Sequence, residues 1–359
     1  MKKKGLVILL AVLVVVLTGI VADKALAAGK EKTQISIAAG RPGDAWYVLS
    51  HALTTFINER SDWVRADVVA TAGVTDDTRL LMKKSEKRAT HLNVTMIPGM
   101  KVWGEGQYIP LKIGSLLHLA SAWVTLDPNL KALADLKGKA VTLPRKVPKG
   151  YTWIFADLLK QGGAWDSIKP MHGGLGAGLI ALRDGAAQAG VQMFNFVYPD
   201  GFSLGSKLEE LQTRGTLYFL QQGNVKANIK AIAKACGSEE FTGLNLPTLA
   251  FVVPAKALGP TQKEDMVVVS CPVFWAAGKE MPDDVVYEVT RILYEAGKKG
   301  DFTAFHMMGK GITPDFLTTS FWETEELCRE NYHPGALKYY DSIGVRLKSF
   351  GELYKRYLK

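Results

Sequence analysis

The 359-residue sequence predicts an α/β fold organised as two lobes with a ligand cleft between them. Short apolar or alternating segments, typical of strands, are followed by amphipathic helices, and this order indicates a largely parallel sheet. The chain is also longer than a single hydrophobic core usually serves, which favours two lobes.

The first strand-loop-helix unit carries the main functional prediction. Residues 35–39 form a short apolar strand, residues 40–44 form a Gly/Pro loop, and the helix that follows has Trp46, Leu49, Leu53 and Phe56 on one face. Such a loop turns backbone N–H groups and the positive end of the helix outward, which suits an anion. An ordinary unit without a ligand is the alternative.

Residues 1–27 have the pattern of a secretory signal peptide. A lysine-rich start precedes an apolar run over residues 6–22, and Ala25-Leu26-Ala27 offers small residues for cleavage. We therefore expect export to the periplasm, with an uncleaved anchor as the alternative. Cleavage lowers the formal charge from +9 to +6. The remaining basic residues are scattered, which disfavours nucleic acid as a partner and favours small anions.

A second small-residue loop follows the strand predicted at residues 64–70. It runs Thr71-Ala72-Gly73-Val74-Thr75-Asp76, and Thr75 or Asp76 is expected to cap the next helix. Further strands are predicted at residues 92–96, which include Thr95, and at residues 113–124. The backbone donors of this second loop again face outward, so it is a second candidate wall of the cleft.

Candidate residues of the second lobe come next along the chain. After a helix predicted at residues 130–136 and a strand at 140–143, a basic loop carries Arg145 and Lys149 and leads into a helix that begins near Tyr151. Cations beside a helix amino end favour a carboxylate or a phosphate, although a solvated turn is the alternative. A later strand, residues 189–198, carries Asn195 and Phe196.

The remaining predicted elements complete the alternation. They are a helix at residues 179–183, strands at 252–255 and 266–270, and helices that begin near residues 282–284 and 333–335. Cys236, Cys271 and Cys328 match no metal spacing, and the six histidines show no ligand grouping. We therefore predict no metal and no cofactor. Buried thiols are the expected state of the cysteines, with a Cys236–Cys271 disulfide left open.

Several short motifs, in order along nearly the whole mature chain, resemble the TAXI family of solute-binding proteins of tripartite ATP-independent periplasmic (TRAP) transporters. The motifs are Ala39-Gly40 with Trp46-Tyr47, Thr71-Ala72-Gly73 with Arg79-Leu80-Leu81, residues 133–139, residues 182–185, residues 281–287, and His333-Pro334-Gly335-Ala336 with Tyr339-Tyr340.

The resemblance implies a type II-like periplasmic binding protein fold with two lobes. The chain would cross between the lobes twice, near residues 120–124 and 267–272. The implied first lobe is residues 28–121 with 269–359, and the second is residues 122–268. Family members close on a small organic anion and deliver it to a membrane permease without hydrolysing ATP. The ligand contacts that the resemblance implies here are Gly40, Tyr47, Thr71, Gly73, Val74 and Thr75.

Departures from the family pattern fall where the ligand is expected. The first loop has Arg41 and Asp44 in place of Gly and Thr residues, and Trp46 stands where Tyr is common. Arg41 can bind a carboxylate through two parallel hydrogen bonds, and Trp46 and Tyr47 can pack on an apolar part of the ligand. The hypothesis is a small carboxylate with a larger apolar body than glutamate.

Two other functions remain open from the sequence. Residues 201–205, Gly-Phe-Ser-Leu-Gly, match the nucleophile elbow of esterases, and His172-Gly173-Gly174 resembles the upstream oxyanion segment, so Ser203 is a candidate nucleophile. The residues before the elbow and the polar helix after it disfavour this interpretation, and we predict that the protein is not an enzyme. The other alternative is a binding protein of the same fold that serves a membrane sensor or an ATP-driven (ABC) transporter.

Overall fold

A mixed sheet of eleven strands runs through the described part of the chain. The structure, a computed structural model, describes residues 31–96, 108, 110–144, 151–198, 200–221, 223–224, 227–228, 250–320, 322 and 324–353. The predicted signal peptide lies outside the described residues, as do Arg145, Lys149 and Cys236.

The strands are numbered in chain order and have the following bounds: β1 (Thr33–Ala38), β2 (Val64–Val69), β3 (His91–Met96), β4 (Leu111–Thr125), β5 (Ala140–Leu143), β6 (Lys169–His172), β7 (Ala189–Val197), β8 (Gly201–Ser203), β9 (Tyr218–Phe219), β10 (Ala250–Val253), β11 (Met266–Ala277), β12 (Thr319–Ser320) and β13 (Lys348–Ser349). The order across the main sheet is β2-β1-β3-β11-β4-β7-β5-β6, with β10 on β11, β8 on β7 and β9 on β4.

The described α-helices are numbered in the same way: α1 (Ala45–Arg60), α2 (Val74–Lys83), α3 (Tyr151–Gln161), α4 (Gly174–Arg183), α5 (Ser206–Gln212), α6 (Asp283–Lys299), α7 (Pro314–Leu317), α8 (Glu325–Glu330), α9 (Pro334–Ser342) and α10 (Phe350–Leu353). Among the described residues, no helix combines the length and the apolar character that crossing a membrane requires.

Two parallel groups of strands define two lobes, which confirms the predicted fold class. Strands β1, β2 and β3 pair in parallel with α1 and α2 between them, and we call this group with α6 and α9 the first lobe. Strands β5, β6 and β7 also pair in parallel, and with α3, α4 and α5 they form the second lobe. The residue bounds predicted for the lobes stay a prediction.

The long strands β4 and β11 join the two lobes. They lie antiparallel from Leu111 opposite Ala277 to Ser121 opposite Val269. One end of β11 pairs with β3, while the far end of β4, from His118 onward, pairs with β7. The sheet is therefore mixed rather than largely parallel as predicted, because these two strands run against their neighbours.

The apolar character of β4 follows from burial on both sides of the sheet. Leu119 and Trp123 belong to one apolar cluster, whereas Ala122 and Val124 belong to another. Successive strand residues point to opposite faces, so a strand covered on both faces has no polar alternation. This accounts for the long apolar run that the sequence shows there.

Two local predictions are wrong. The helix predicted at residues 130–136 is only a short 3-10 turn at Leu133–Leu136, whose Asp135 carboxylate accepts the backbone N–H groups of Lys131 and Ala132 at 2.9 Å. Helix α2 begins at Val74, and its cap position is Gly73, without a side-chain cap. Thr75 and Asp76 therefore lie inside the first turn instead of capping it.

The His333-Pro334-Gly335 motif has a structural role at the start of α9. The His333 ring is buried, and its Nδ1 accepts the backbone N–H of Gly335 at 3.1 Å. A Cβ atom at Gly335 would overlap the carbonyl oxygen of Asp283, the first residue of α6. The motif thus caps one helix and lets it pack closely against the other.

Candidate functional site

A cavity of about 440 Å³ lies between the lobes, and we call it the interlobe cavity. Its first-lobe wall is formed by the loop 40–44 and the start of α1, and its second-lobe wall by the start of α4, β7 and the start of α5. The polar and charged side chains that line it are those of Arg41, Asp44, Gln192, Asn195, Lys207 and His306.

Five of the predicted site residues line this cavity. They are Arg41, Asp44, Trp46, Gly73 and Asn195. Arg41, Asp44 and Gly73 come from the two small-residue loops of the first lobe, and Trp46 comes from the first turn of α1. Asn195 comes from β7 of the second lobe. The structure thus brings together residues of both lobes that lie more than 120 positions apart.

Arg41 is held at the edge of the cavity by one of its nitrogens. Its Nε donates to the carbonyl oxygen of Ala72 at 3.0 Å, which links the two first-lobe loops. The side chain is exposed, and within the described residues no ion pair joins it to a carboxylate. Its terminal Nη groups therefore remain for an anion, because a guanidinium has five N–H donors.

Trp46 lies against the backbone of the first loop. A Cβ atom at Gly40 would overlap Nε1 of Trp46, and Gly40 has a φ of 72°. A side chain at position 40 would therefore displace the indole ring as well as strain the backbone. The indole Nε1 is buried and has no hydrogen-bond partner among the described residues.

Asp77 links the two first-lobe loops by hydrogen bonds and does not itself line the cavity. Its Oδ1 accepts the backbone N–H of Gly40 at 3.1 Å and the hydroxyl of Thr71 at 2.5 Å. Burial raises the pKa of this carboxyl to about 7, with the hydrogen bond from Thr71 opposing the shift. A carboxyl group that is about half protonated at pH 7 places less negative charge behind an anion site than an ordinary, fully ionised aspartate would.

The raised pKa of Asp77 predicts a pH-dependent stability. Because the folded state keeps the proton to higher pH than the unfolded state, the contribution of Asp77 to the free energy of unfolding falls as pH rises from about 4 to about 7, by up to about 1.4 kcal/mol per pH unit. The difference between wild type and Asp77→Asn, measured by urea unfolding, should decrease through this window. A constant difference would contradict the prediction, and Asp76→Asn is the matched control for losing one carboxylate from the same turn.

The charges around the cavity come from both lobes. Lys207, at the start of α5, and Arg41, in the same loop as the half-buried Asp44, both line the cavity together with that carboxyl group. Burial raises the pKa of Asp44, and the positive charges of Lys207 and Arg41 oppose that shift. Two cations against one carboxyl group leave an excess of positive charge for a ligand anion.

The amino end of α4 forms the second-lobe wall, which the sequence interpretation missed. Residues 173–177 line the cavity, and the cap residue Gly173 supplies no side-chain hydrogen bond. The first N–H groups of a helix have no partners within it, and they favour negative charge. Gln192 supports this end by donating its Nε2–H to the carbonyl oxygen of Leu175 at 3.2 Å.

Several predicted site residues do not line the cavity. The Thr71 hydroxyl is taken up by Asp77, and the buried Thr95 hydroxyl lies 2.7 Å from that of Thr78. Phe196 points to the opposite face of β7 from Asn195 and packs against Phe251 with ring centroids 4.7 Å apart. Gly40 and Tyr47 are also absent from the lining. The structure describes no side chain for Val74, Thr75 and Tyr151.

Ser203 does not occupy a strand-to-helix elbow. It lies on β8 opposite Asn195, and α5 begins only at Ser206. Among the described residues, the non-glycine residue with positive φ is Lys256, so Ser203 lacks the strained backbone of a nucleophile elbow. The described residues also contain no His, Cys, Asp and Glu group that could hold a metal, and Cys328 is a buried free thiol.

Comparison with known proteins gives one family match, over about a third of the chain. Residues 228–344 match the model of the NMT1-like family. Residues 229–249, 321 and 323 of this segment lie outside the described residues, and the described part includes β10, β11, α6 and the 3-10 turn Met307–Gly311.

Solved structures similar to this chain share little sequence with it. A periplasmic sulfonate-binding protein, SsuA, of a putative sulfonate ABC transporter from Methylobacillus flagellatus KT is 13% identical with a TM-score of 0.45, over 89% of this chain and 90% of the other. A putative L-cystine ABC transporter protein from Listeria monocytogenes is 12% identical with a TM-score of 0.43, over 79% and 98%. Full-length CbnR in complex with its target DNA is 11% identical with a TM-score of 0.40, over 82% and 81%.

Proposed function

We propose that this protein captures a small organic anion in the interlobe cavity and passes it to a membrane transporter. The observation that supports the proposal most strongly is that groups able to bind an anion line one cavity from both lobes. Arg41 supplies a guanidinium from the first lobe, and Lys207 with the amino end of α4 faces it from the second. A carboxylate bound between them would satisfy both walls together.

The apolar part of the lining supports an anion with an apolar body. Trp46 and Leu119 line the cavity beside Leu175, Met193 and Met308. Ligand cavities of this size that are mostly apolar, with a few polar groups, fix the orientation of a ligand while apolar contact supplies affinity. A short di-acid would leave most of this surface unused.

Closure of the lobes is the proposed mechanism of capture. Ligand groups bound to both walls are satisfied together only when the cavity is shut, so the anion has a higher affinity for the closed state and shifts the population toward it. The joining strands β4 and β11 are the elements about which the lobes would turn. The closed shape is then what a transporter distinguishes from the empty protein.

The membrane partner and the location follow from the sequence resemblance and are part of the proposal. We infer a periplasmic protein that serves a TRAP permease, with an ABC transporter or a membrane sensor as the alternative partner. Proteoliposomes that contain the permease test this directly, because uptake of the bound anion should require the protein and a sodium or proton gradient. Uptake that requires ATP instead would favour the ABC alternative.

A binding role without catalysis is also part of the proposal. The strand position of Ser203 supports it, since the elbow geometry that activates a serine is not formed there. A fluorophosphonate probe should therefore leave Ser203 unlabelled under conditions that label a serine esterase. Labelling of Ser203 that Ser203→Ala abolishes would contradict this part of the proposal.

The experiment that tests the proposed function is a thermal-shift screen on protein that has been unfolded, stripped of ligand and refolded. Carboxylates and sulfonates with and without apolar bodies are compared at matched charge. A ligand that binds only the native state raises the melting temperature. We expect monoanions with an apolar body to give the largest shifts, and a screen in which no anion shifts the melting temperature would contradict the proposal.

A further inference from the structure

His306 lines the interlobe cavity from a segment of the chain that no sequence motif indicates. It caps a 3-10 turn, Met307–Gly311, which follows α6 and borders the cavity with Met307 and Met308. The ring is half-buried, so one side of it is available to a ligand.

The protonation of the His306 ring is set by its own turn. The backbone N–H of Met308 donates to Nδ1 at 3.1 Å, so Nδ1 is the acceptor nitrogen of the ring. In a neutral imidazole the other nitrogen then carries the hydrogen. Burial lowers the pKa of His306, which favours this neutral form at neutral pH. The ring therefore offers an uncharged Nε2–H donor.

This arrangement also argues against a soft-metal site, even though His306 and three methionines line the same cavity. Imidazole and thioether groups are ligands that suit copper(I). A metal needs a lone pair on the nitrogen that it binds, and Nε2 carries a hydrogen as long as Nδ1 accepts from Met308. A hydrogen-bond acceptor on a ligand is the partner that fits.

The turn that carries His306 is firmly packed. The backbone N–H of His306 donates to the carbonyl oxygen of Phe302 at 3.3 Å. The carbonyl oxygen of His306 accepts the backbone N–H of Gly309 at 2.8 Å. The buried Phe302 ring packs against Phe56 with centroids 5.1 Å apart, and Asp301 pairs with Arg60 at 2.7 Å. Because this turn is packed in place, the Nε2–H of His306 keeps a fixed direction. A fixed donor direction is what discrimination between similar ligands requires.

From this geometry we propose that His306 is a specificity-determining residue, whose Nε2–H donates a hydrogen bond to an uncharged oxygen on the apolar body of the bound anion. The inference rests on the proposed function and deepens it. Arg41 and Lys207 attract the acidic group, so the neutral donor of His306 is left for a carbonyl, ether or hydroxyl oxygen. The ligand class is then an organic monoanion whose apolar body carries one further acceptor.

Two probes of nearly equal shape test this assignment. Calorimetry compares 4-acetylbenzoate, which has a carbonyl acceptor, with 4-isopropenylbenzoate, in which a CH2 group replaces the carbonyl oxygen. Wild type should prefer the acetyl probe by about 5-fold, because one additional neutral hydrogen bond contributes about 1 kcal/mol. Equal affinities for the two probes would overturn the inference.

Two variants separate the donor from the cap. His306→Asn keeps an acceptor for the Met308 N–H but lacks the distal donor, so it should fold normally and lose the preference. His306→Gln places an N–H near the position of Nε2 and should retain it. His51→Asn, at an exposed histidine of α1, is the matched control and should behave as wild type. A preference that survives in His306→Asn would overturn the assignment.

The same experiment distinguishes this inference from the proposed function. Should other anions from the thermal-shift screen bind while neither benzoate does, the inference fails and the proposed function stands. Should no anion bind at all, both fail.

Discussion

Replacement of Arg41 by alanine is expected to weaken binding of the tightest anion from the thermal-shift screen by roughly 10- to 100-fold. Hydrogen bonds to a charged group contribute about 1.5 to 3 kcal/mol each, and Arg41 is the cavity cation whose Nη groups can bind a carboxylate through two parallel bonds. Titration calorimetry at one ionic strength measures the loss.

Two further variants show whether the loss of affinity is due to the paired donors of the Arg41 guanidinium. Arg41→Lys keeps the charge but not the planar pair of donors, so its affinity should lie between those of wild type and Arg41→Ala. Arg329→Ala removes an exposed arginine that pairs with Asp341, and it should leave affinity unchanged. Equal affinity in wild type and Arg41→Ala would exclude Arg41 as the clamp.

A methyl group at Gly335 is expected to cause a large loss of stability. Gly335→Ala should lower the free energy of unfolding by about 3 kcal/mol, because the new Cβ atom would overlap the Asp283 carbonyl oxygen. The backbone of α6 cannot yield there without separating α6 from α9. Urea unfolding monitored by tryptophan fluorescence measures the change.

Gly215→Ala is the matched control for this substitution. A Cβ atom at Gly215 would have its nearest neighbour, a methyl carbon of Leu126, at 3.9 Å, which is an ordinary contact. We expect a change within about 0.5 kcal/mol. Similar losses in the two variants would mean that close packing of α6 and α9 is not what requires glycine at position 335.

Local periodicity was sufficient to predict the helices and strands of the first lobe. Helix α1 buries Leu49, Leu53 and Phe56 as its apolar spacing predicts, and α6 begins at Asp283 with acidic residues in its first turn. These features depend on residues three or four positions apart, so one sequence contains them. The pairing of β4 with β11 joins segments about 150 residues apart, and no local pattern indicates its direction.

Half of the candidate site was visible in the sequence for a similar reason. Each first-lobe loop follows a strand and leads into a helix, so its glycines predicted that it would line a ligand cavity. The start of α4 was missed because glycine has low helix propensity, and Gly173-Gly174 was interpreted instead as an oxyanion segment. A glycine-rich run directly after a strand was the signal that could have found it.

His306 could not be predicted from the sequence. It precedes two methionines and belongs to no motif of polar residues. Its role depends on the packing of the turn beside the cavity and on which ring nitrogen accepts the backbone N–H of Met308. Phe196 shows the opposite error, since adjacent residues on β7 cannot both face one cavity. Strand alternation would have allowed only Asn195 or Phe196.

A crystal structure of the protein with the tightest anion from the screen tests the central claim most directly. We predict density for the anion in the interlobe cavity, with its acidic group in contact with Arg41 of the first lobe and with the amino end of α4 of the second. An anion bound outside this cavity, or one that contacts a single lobe, would contradict capture by closure.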